Sequence, residues 1–271
     1  PKQLLMGVVA VAAVVVVMAV ALATGAIQVD WLSNIVTAVA LVAAIYLWAQ
    51  MYTSKLVTRE EKNRLLGFIP MFVSGVLFFG IFQQQFTVMT IYSDVRLDRH
   101  MFGWEIPPSL VQSINPIFIV IFSAVFATMW TKLGDRQWST PVKFGAANIV
   151  IGISLFFFLP FSGGEANSTP MYAIIFILFL FTMAELLLSP VGNALATKVA
   201  PVAFPSRMMA VWMMAVAMGT SLAGSLASFY NPDDAGAENT FFISLGVASI
   251  VLGAILLVLS RWVVKKFSTF R

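Results

Sequence analysis

The chain has 271 residues, 60% hydrophobic and 10% charged, with a net charge of +4. Soluble domains average about 45–50% apolar and about 25% charged residues, so this is the composition of an integral membrane protein. Zero Cys excludes disulfides, thiolate chemistry and Cys-ligated metals, and a single His (His100) cannot build a His metal site. The excess positive charge is no nucleic-acid signal, because it follows a membrane topology.

Apolar runs of about 20 residues suit a bilayer core. They predict eight spans, at 4–26, 32–54, 66–93, 109–131, 142–161, 170–196, 206–230 and 240–264. The first is too long for a signal-type apolar region, carries no small-residue cleavage site and is followed by another span. Residues 4–26 are almost pure Val, Ala, Leu and Met, without a polar side chain before Thr24. Their partner, 32–54, has Trp31, Tyr46, Trp48 and Tyr52 near its ends, where interfacial aromatics belong. Together they read as a lipid-facing structural hairpin that turns between Gly25 and Asp30. The next segment, Lys55 to Leu66, mixes signs and places Glu60 four residues before Arg64, the spacing of a short cytoplasmic helix.

Lys and Arg then separate by side. Fourteen of the 16 fall on one face of this topology, from Lys2 through Lys55, Lys132, Lys143, Lys198 and Arg207 to Arg271; only Arg96 and Arg99 fall on the other. The positive-inside rule places both ends of the segment in the cytoplasm. A missed span would scramble that separation, so it also supports eight spans.

Polar residues and helix breakers gather in the last six spans. In the third, Gln83, Thr87, Thr90 and Asp94 fall at helical spacing and predict one stripe, with Gln84 and Gln85 on adjacent faces. In the fourth, Gln112 and Asn115 lie one turn apart before Pro116. The sixth carries Thr182, Glu185, Ser189 and Gly192 on one face, and Pro190. Each Pro removes a donor and frees the carbonyl four residues earlier, of Gln112 and of Leu186; such groups survive in a membrane when they line a cavity or meet a protein partner. Glu185 stands alone in the run from Met171 to Lys198. A carboxylate at that depth costs at least about 2.5–3.5 kcal/mol on insertion scales, which marks it as a transport-site candidate. In the seventh span Met208, Met209, Trp212, Met213 and Met214 offer an adaptable apolar surface. Ala217, Ser221 and Ser225, with Gly219 and Ala223, have the spacing of close helix packing. Six spans with broken helices and a midplane carboxylate look like one half of a secondary transporter.

Several blocks resemble the proton-dependent oligopeptide transporter family of the major facilitator superfamily. AELLLSPVGNALATKVAPVAFPSRMMAVWMM is similar to its sixth-and-seventh-span signature. FFGIFQQQFTVM and PPSLVQSINPIFIVIF resemble its two preceding C-terminal-half helices, and Gly134-Asp135-Arg136 resembles the superfamily's loop motif. Residues 1–54 look like the hairpin that bacterial members insert between their halves. The resemblance implies an all-α integral membrane fold of about eight transmembrane helices: the hairpin (1–54), a cytoplasmic linker helix (55–65) and a six-helix major-facilitator half bundle (66–271). It implies roles by position. Glu185 would receive the peptide's amino terminus, Asn115 would bond the peptide, and Trp212 would wall a side-chain pocket. Ser189 and Pro190 complete the Glu-x-x-x-Ser-Pro block. Gln83 and Gln112 would line the path, and Asp94 would gate it by pairing with an Arg of the other half. Many members carry Asp or Glu where this chain has Gln83, and Gln cannot titrate.

The expectation is therefore the C-terminal half of a proton-coupled di- and tripeptide importer in the inner (plasma) membrane, with the proton as coupling ion and no other cofactor, metal site or catalytic role. The chain begins at Pro1 rather than Met, as a fragment would, and the N-terminal six-helix half is its expected partner. Alternatives are a facilitator for another solute, an anion or a drug, or a truncated non-transporting scaffold. A positive residue lining the site would favour anions, and no Lys or Arg stands in mid-span.

Overall fold

The computed structural model describes residues 29–101 and 103–267, with a few isolated positions before residue 25. The predicted span at 4–26 and its turn fall almost wholly outside these, as do Lys2 and Arg271. Among the described residues the chain forms seven helical segments long and apolar enough to cross a membrane, matching the other seven predicted spans. They are α1 (Val29–Thr53), α2 (Arg59–Phe82) continued by α3 (Val88–Val95), the short α4 (Pro108–Val111) followed by α5 (Ile114–Leu133), α6 (Thr140–Phe156), α7 (Met171–Val199), α8 (Pro205–Ala227) and α9 (Ala235–Phe267). Two short strands, β1 (His100–Met101) and β2 (Trp104–Glu105), make an antiparallel hairpin between α3 and α4, turning at Gly103 with φ +79°.

Two predicted helices are interrupted. The expected stripe from Gln83 to Asp94 breaks at a tight 3-10 turn over Gln83–Phe86, and Thr87 (φ −114°, ψ −87°) is not helical. One of the three consecutive Gln amides engages the backbone there: Gln84 Nε2 donates to the carbonyls of Gly80 (3.1 Å) and Ala223 (3.2 Å), and Thr87 Oγ1 donates to Gln84 Oε1 at 2.9 Å. The fourth span restarts after Gln112 and Ser113. Pro116 therefore sits in the first turn of α5, where a missing N–H costs nothing, and does not kink a continuous helix. Pro190 lies inside α7 as expected. The segment expected as a separate linker helix enters α2 without a break: Thr58 and Glu61 form a capping box that starts the helix at Arg59. Glu61 Oε1 also accepts from the Val202 N–H at 2.8 Å, tying this start to the α7–α8 loop.

Small residues set the helix spacing. A Cβ on Gly152 would lie 2.7 Å from the Gly246 carbonyl and one on Gly253 2.7 Å from that of Gly145, so α6 and α9 cross with backbones in contact. This is how helices associate where lipid removes the hydrophobic drive between them. The small-residue stripe on α8 packs as its spacing implied. Gly219 meets Val76, Phe79 and Gly80 of α2, while Ser221 and Ser225 share hydrogen bonds with Ser33 of α1 (Ser33 to Ser225, 3.0 Å).

Both exceptions to the charge separation are neutralised. Arg99 pairs with Glu105 at 2.9 Å and Asp94 at 3.5 Å. Arg96 forms a buried pair with Glu238 at 3.0 Å, joining the end of α3 to the start of α9. Glu238 further accepts from the Tyr230 hydroxyl (2.8 Å) and the Gly163 N–H (2.9 Å), and Arg96 donates to the Pro232 (2.6 Å) and Gly164 carbonyls. Removing one member of such a pair strands the other, at about 3–5 kcal/mol. Glu238→Ala should therefore lower the thermal stability of the purified protein more than the double variant Arg96→Met/Glu238→Met does. Equal losses would show that the pair is not electrostatically closed.

Candidate functional site

Glu185 sits on α7 one turn before Ser189 and Pro190, facing α5. Between these helices lies a cavity of about 580 Å³, closed at one end by the α5–α6 loop and the start of α6. Glu185, Ser189 and Pro190 line it from α7, and Ser123, Phe126 and Trp130 from α5. Its size falls within the range of about 300–1,000 Å³ usual for small-molecule sites. Asn115 is buried beside it, donating from Nδ2 to Thr182 Oγ1 at 3.1 Å and reaching the Glu185 carboxyl. Thr182 in turn donates to the Leu178 carbonyl, so its oxygen is turned toward Asn115.

Glu185 takes part in none of the described ion pairs, and its Oε2 and the Ser189 Oγ are buried without a hydrogen-bond partner. Buried polar groups in proteins are nearly always paired. An acceptor left open at the head of a cavity, with a hydroxyl one turn away, suits a cationic, hydrogen-bonding group such as an ammonium. Among the described residues no group of three or more His, Asp or Glu side chains converges to hold a metal.

The other residues named from sequence are distributed differently. Gln83 lies off the cavity and donates to Thr220 Oγ1 of α8 at 3.1 Å. Gln112 is bonded to Thr90 Oγ1, bridging the restart of the fourth span to α3. Asp94 is exposed at the C-terminal end of α3 and pairs within its own chain, with Arg99. Trp212 does not fit the role of a pocket wall in this chain. Its ring is 1% exposed, seated on Gly75 and Gly192 among Phe68, Phe79 and Phe144, with its N–H on Asn193 Oδ1 at 2.9 Å. Two glycines that leave room for an indole, one on α2 and one on α7, explain why a Trp is used there.

Sequence reasoning missed the far end of the cavity. Lys143, at the start of α6, lines it together with Lys198, Trp130 and Gln137. Lys143 is only 6% exposed, its Nζ lying 3.9 Å from the centre of the Trp130 ring and 2.7 Å from Gln137 Oε1. It had counted merely as one charge of a cytoplasmic loop. The Trp and the Gln within reach of it were the signal that it is held inward.

A sequence model of the POT family matches residues 3–242. The chain is 36% identical to the uncharacterized transporter YclF of Bacillus subtilis (strain 168), covering 94% of this chain and 51% of that protein. It is 35% identical to the di-/tripeptide transporter of Lactococcus lactis subsp. cremoris, covering 88% and 48%. The chain thus spans about half the length of the curated relatives it matches. The crystal structure of a peptide transporter POT in complex with sulfate superposes with a TM-score of 0.85 at 32% identity, covering 98% of this chain and 54% of that one. A POT family transporter in complex with 5-aminolevulinic acid gives 0.83 at 34%, covering 97% and 54%. The helix order, the cavity between α5 and α7 and the match over most of the sequence agree: the chain is an integral membrane protein that belongs to the POT family.

Proposed function

We propose that this chain is the C-terminal half of a proton-coupled importer of di- and tripeptides, working by alternating access against an N-terminal six-helix half. The observation that carries the reading is the Glu185 carboxylate, one oxygen of which is buried and unpaired at the head of a cavity of substrate size. A zwitterionic peptide sheds water on entry, and an anionic Glu185 replaces part of that hydration by a charge-assisted bond to its ammonium. Asn115 positions the carboxyl and Ser189 offers a further hydrogen bond. The relatives named above support the substrate class. The Lys/Arg asymmetry supports placing both ends of the segment in the cytoplasm and the protein in the plasma membrane. In this reading residues 1–54 are the inserted hairpin, 55–65 the linker and 66–271 the transporting bundle.

Proton coupling needs a group that titrates, and Gln83 does not. Its amide is held by Thr220, a neutral partner that suits an uncharged side chain. Coupling then runs through other carboxylates, Glu185 among them. A carrier for another small anion is the second reading. Lys143 and Lys198 on the cavity favour it, while Glu185 at the opposite end favours a substrate that carries both signs.

In proteoliposomes containing the complete two-half protein, an inward proton gradient should drive dipeptide uptake. Glu185→Gln should abolish that uptake while leaving the folded yield unchanged. Uptake in the variant at the wild-type rate would remove Glu185 from the mechanism, and gradient-independent uptake would remove the proton. A second variant addresses position 83: Gln83→Glu should steepen the pH dependence of uptake. A pH profile identical to that of the unmodified protein would show that the position has no part in coupling.

A further inference from the structure

The Glu185 cavity has complementary open hydrogen-bonding capacity at its two ends. At the head is an acceptor without a donor, Glu185 Oε2. Toward the other end are donors without an acceptor. Trp130 Nε1 is buried with no hydrogen-bond partner. The Lys143 ammonium has three protons, of which the contact to Gln137 uses one. No described ion pair supplies Lys143 with a carboxylate, although it is more than nine-tenths buried. Lys198 lines the same end and adds a second positive charge. A buried cation normally has a counter-charge. Here the Trp130 ring face supplies only part of one, and the remaining donors point to an oxyanion.

We infer that Lys143 and Trp130 form a carboxylate-receiving station on the cytoplasmic side of the Glu185 cavity, which takes the carboxyl terminus of the substrate as it leaves. The inference rests on the peptide-carrier reading for the source of the carboxylate. The span of the cavity supports two separate stations. Glu185 and Lys198 lie on one helix, about 20 Å apart at 1.5 Å per residue. A tripeptide backbone extends only about 10 Å at 3.3–3.6 Å per residue, about half of that backbone separation. Glu185 would hold the ammonium first, and the Lys143 end would then draw the carboxylate toward the cytoplasm. Gln137 and Trp130 keep the Lys143 side chain extended and turned inward in the meantime.

The test uses the complete two-half protein and the apparent KM for a dipeptide measured separately from each membrane face, in vesicles of both orientations. Losing a charge-assisted bond, Lys143→Gln should raise the cytoplasmic-face KM by about tenfold or more and leave the outer-face KM unchanged. Lys143→Arg, which keeps the cation and its donors, should largely restore it. A purely structural latch on the α5–α6 loop would move both faces equally or neither, and either result overturns the station. A second readout does not depend on transport. N-acetyl-dialanine, a carboxylate without an ammonium, should raise the melting temperature of the wild type and not of Lys143→Gln. The same stabilisation in both proteins overturns the station, and equal stabilisation by inorganic phosphate overturns its assignment to a carboxylate. A wild type that exchanges no peptide contradicts the proposed function instead, and the melting experiment still decides the station.

Discussion

Everything in this bundle is organised by the cost of taking a carboxylate out of water. Glu238, fully buried, and Glu185, half-buried with one oxygen out of water, are treated in opposite ways. Glu238 is wrapped by Arg96, Tyr230 and the Gly163 N–H, so that each oxygen has a partner. That arrangement fastens the outer ends of α3 and α9 to the α6–α7 loop. Glu185 is left with an open oxygen and no ion pair, next to space. A closed carboxylate builds structure, whereas an open one leaves an acceptor free to bond.

The helix packing keeps that open site in place. The glycine crossing of α6 and α9, and the close approach of α8 to α2 around Gly219, give the bundle a tightly packed body. The α5 helix is held differently. Asn115 is its buried residue, and Ile117, Val120, Ile121 and Val125 along it are exposed. The cavity thus has one wall, α7, set into the body and another, α5, whose Phe118 and Phe122 rest on Phe179 of α7. Polar contacts hold the ends of α5, Asn115 and Gln112 at one and the Trp130–Lys143 contact at the other.

Much of this was legible in the sequence because the bilayer leaves few options. Apolar length gave seven described helices in their places, and the rarity of intramembrane charge singled out Glu185. The small residues of α8 revealed a packing face because only close approach rewards them. What the sequence hid depends on long-range partners. Helical spacing aligned Gln83 with Asp94, but the helix breaks between them, where Gln84 bonds the backbone carbonyls of Gly80 and Ala223. Trp212 reads as a pocket aromatic until Gly75 and Gly192, far apart in the chain, are seen to leave room for its ring. Arg96 and Glu238 are separated by more than half the chain, and nothing local marks them as a pair. Lys143 looked like an ordinary cytoplasmic charge because periodicity cannot show which way a residue at a helix start is turned.

The central claim is that Glu185 recognises the substrate's ammonium, and binding tests it more directly than transport does. Dialanine and N-acetyl-dialanine would be titrated calorimetrically into the complete protein, wild type and Glu185→Gln. The wild type should prefer the free amine by about tenfold or more, as expected for one charge-assisted bond, and the variant should lose that preference. A variant that still distinguishes the two peptides as the wild type does would place amine recognition elsewhere and contradict the account.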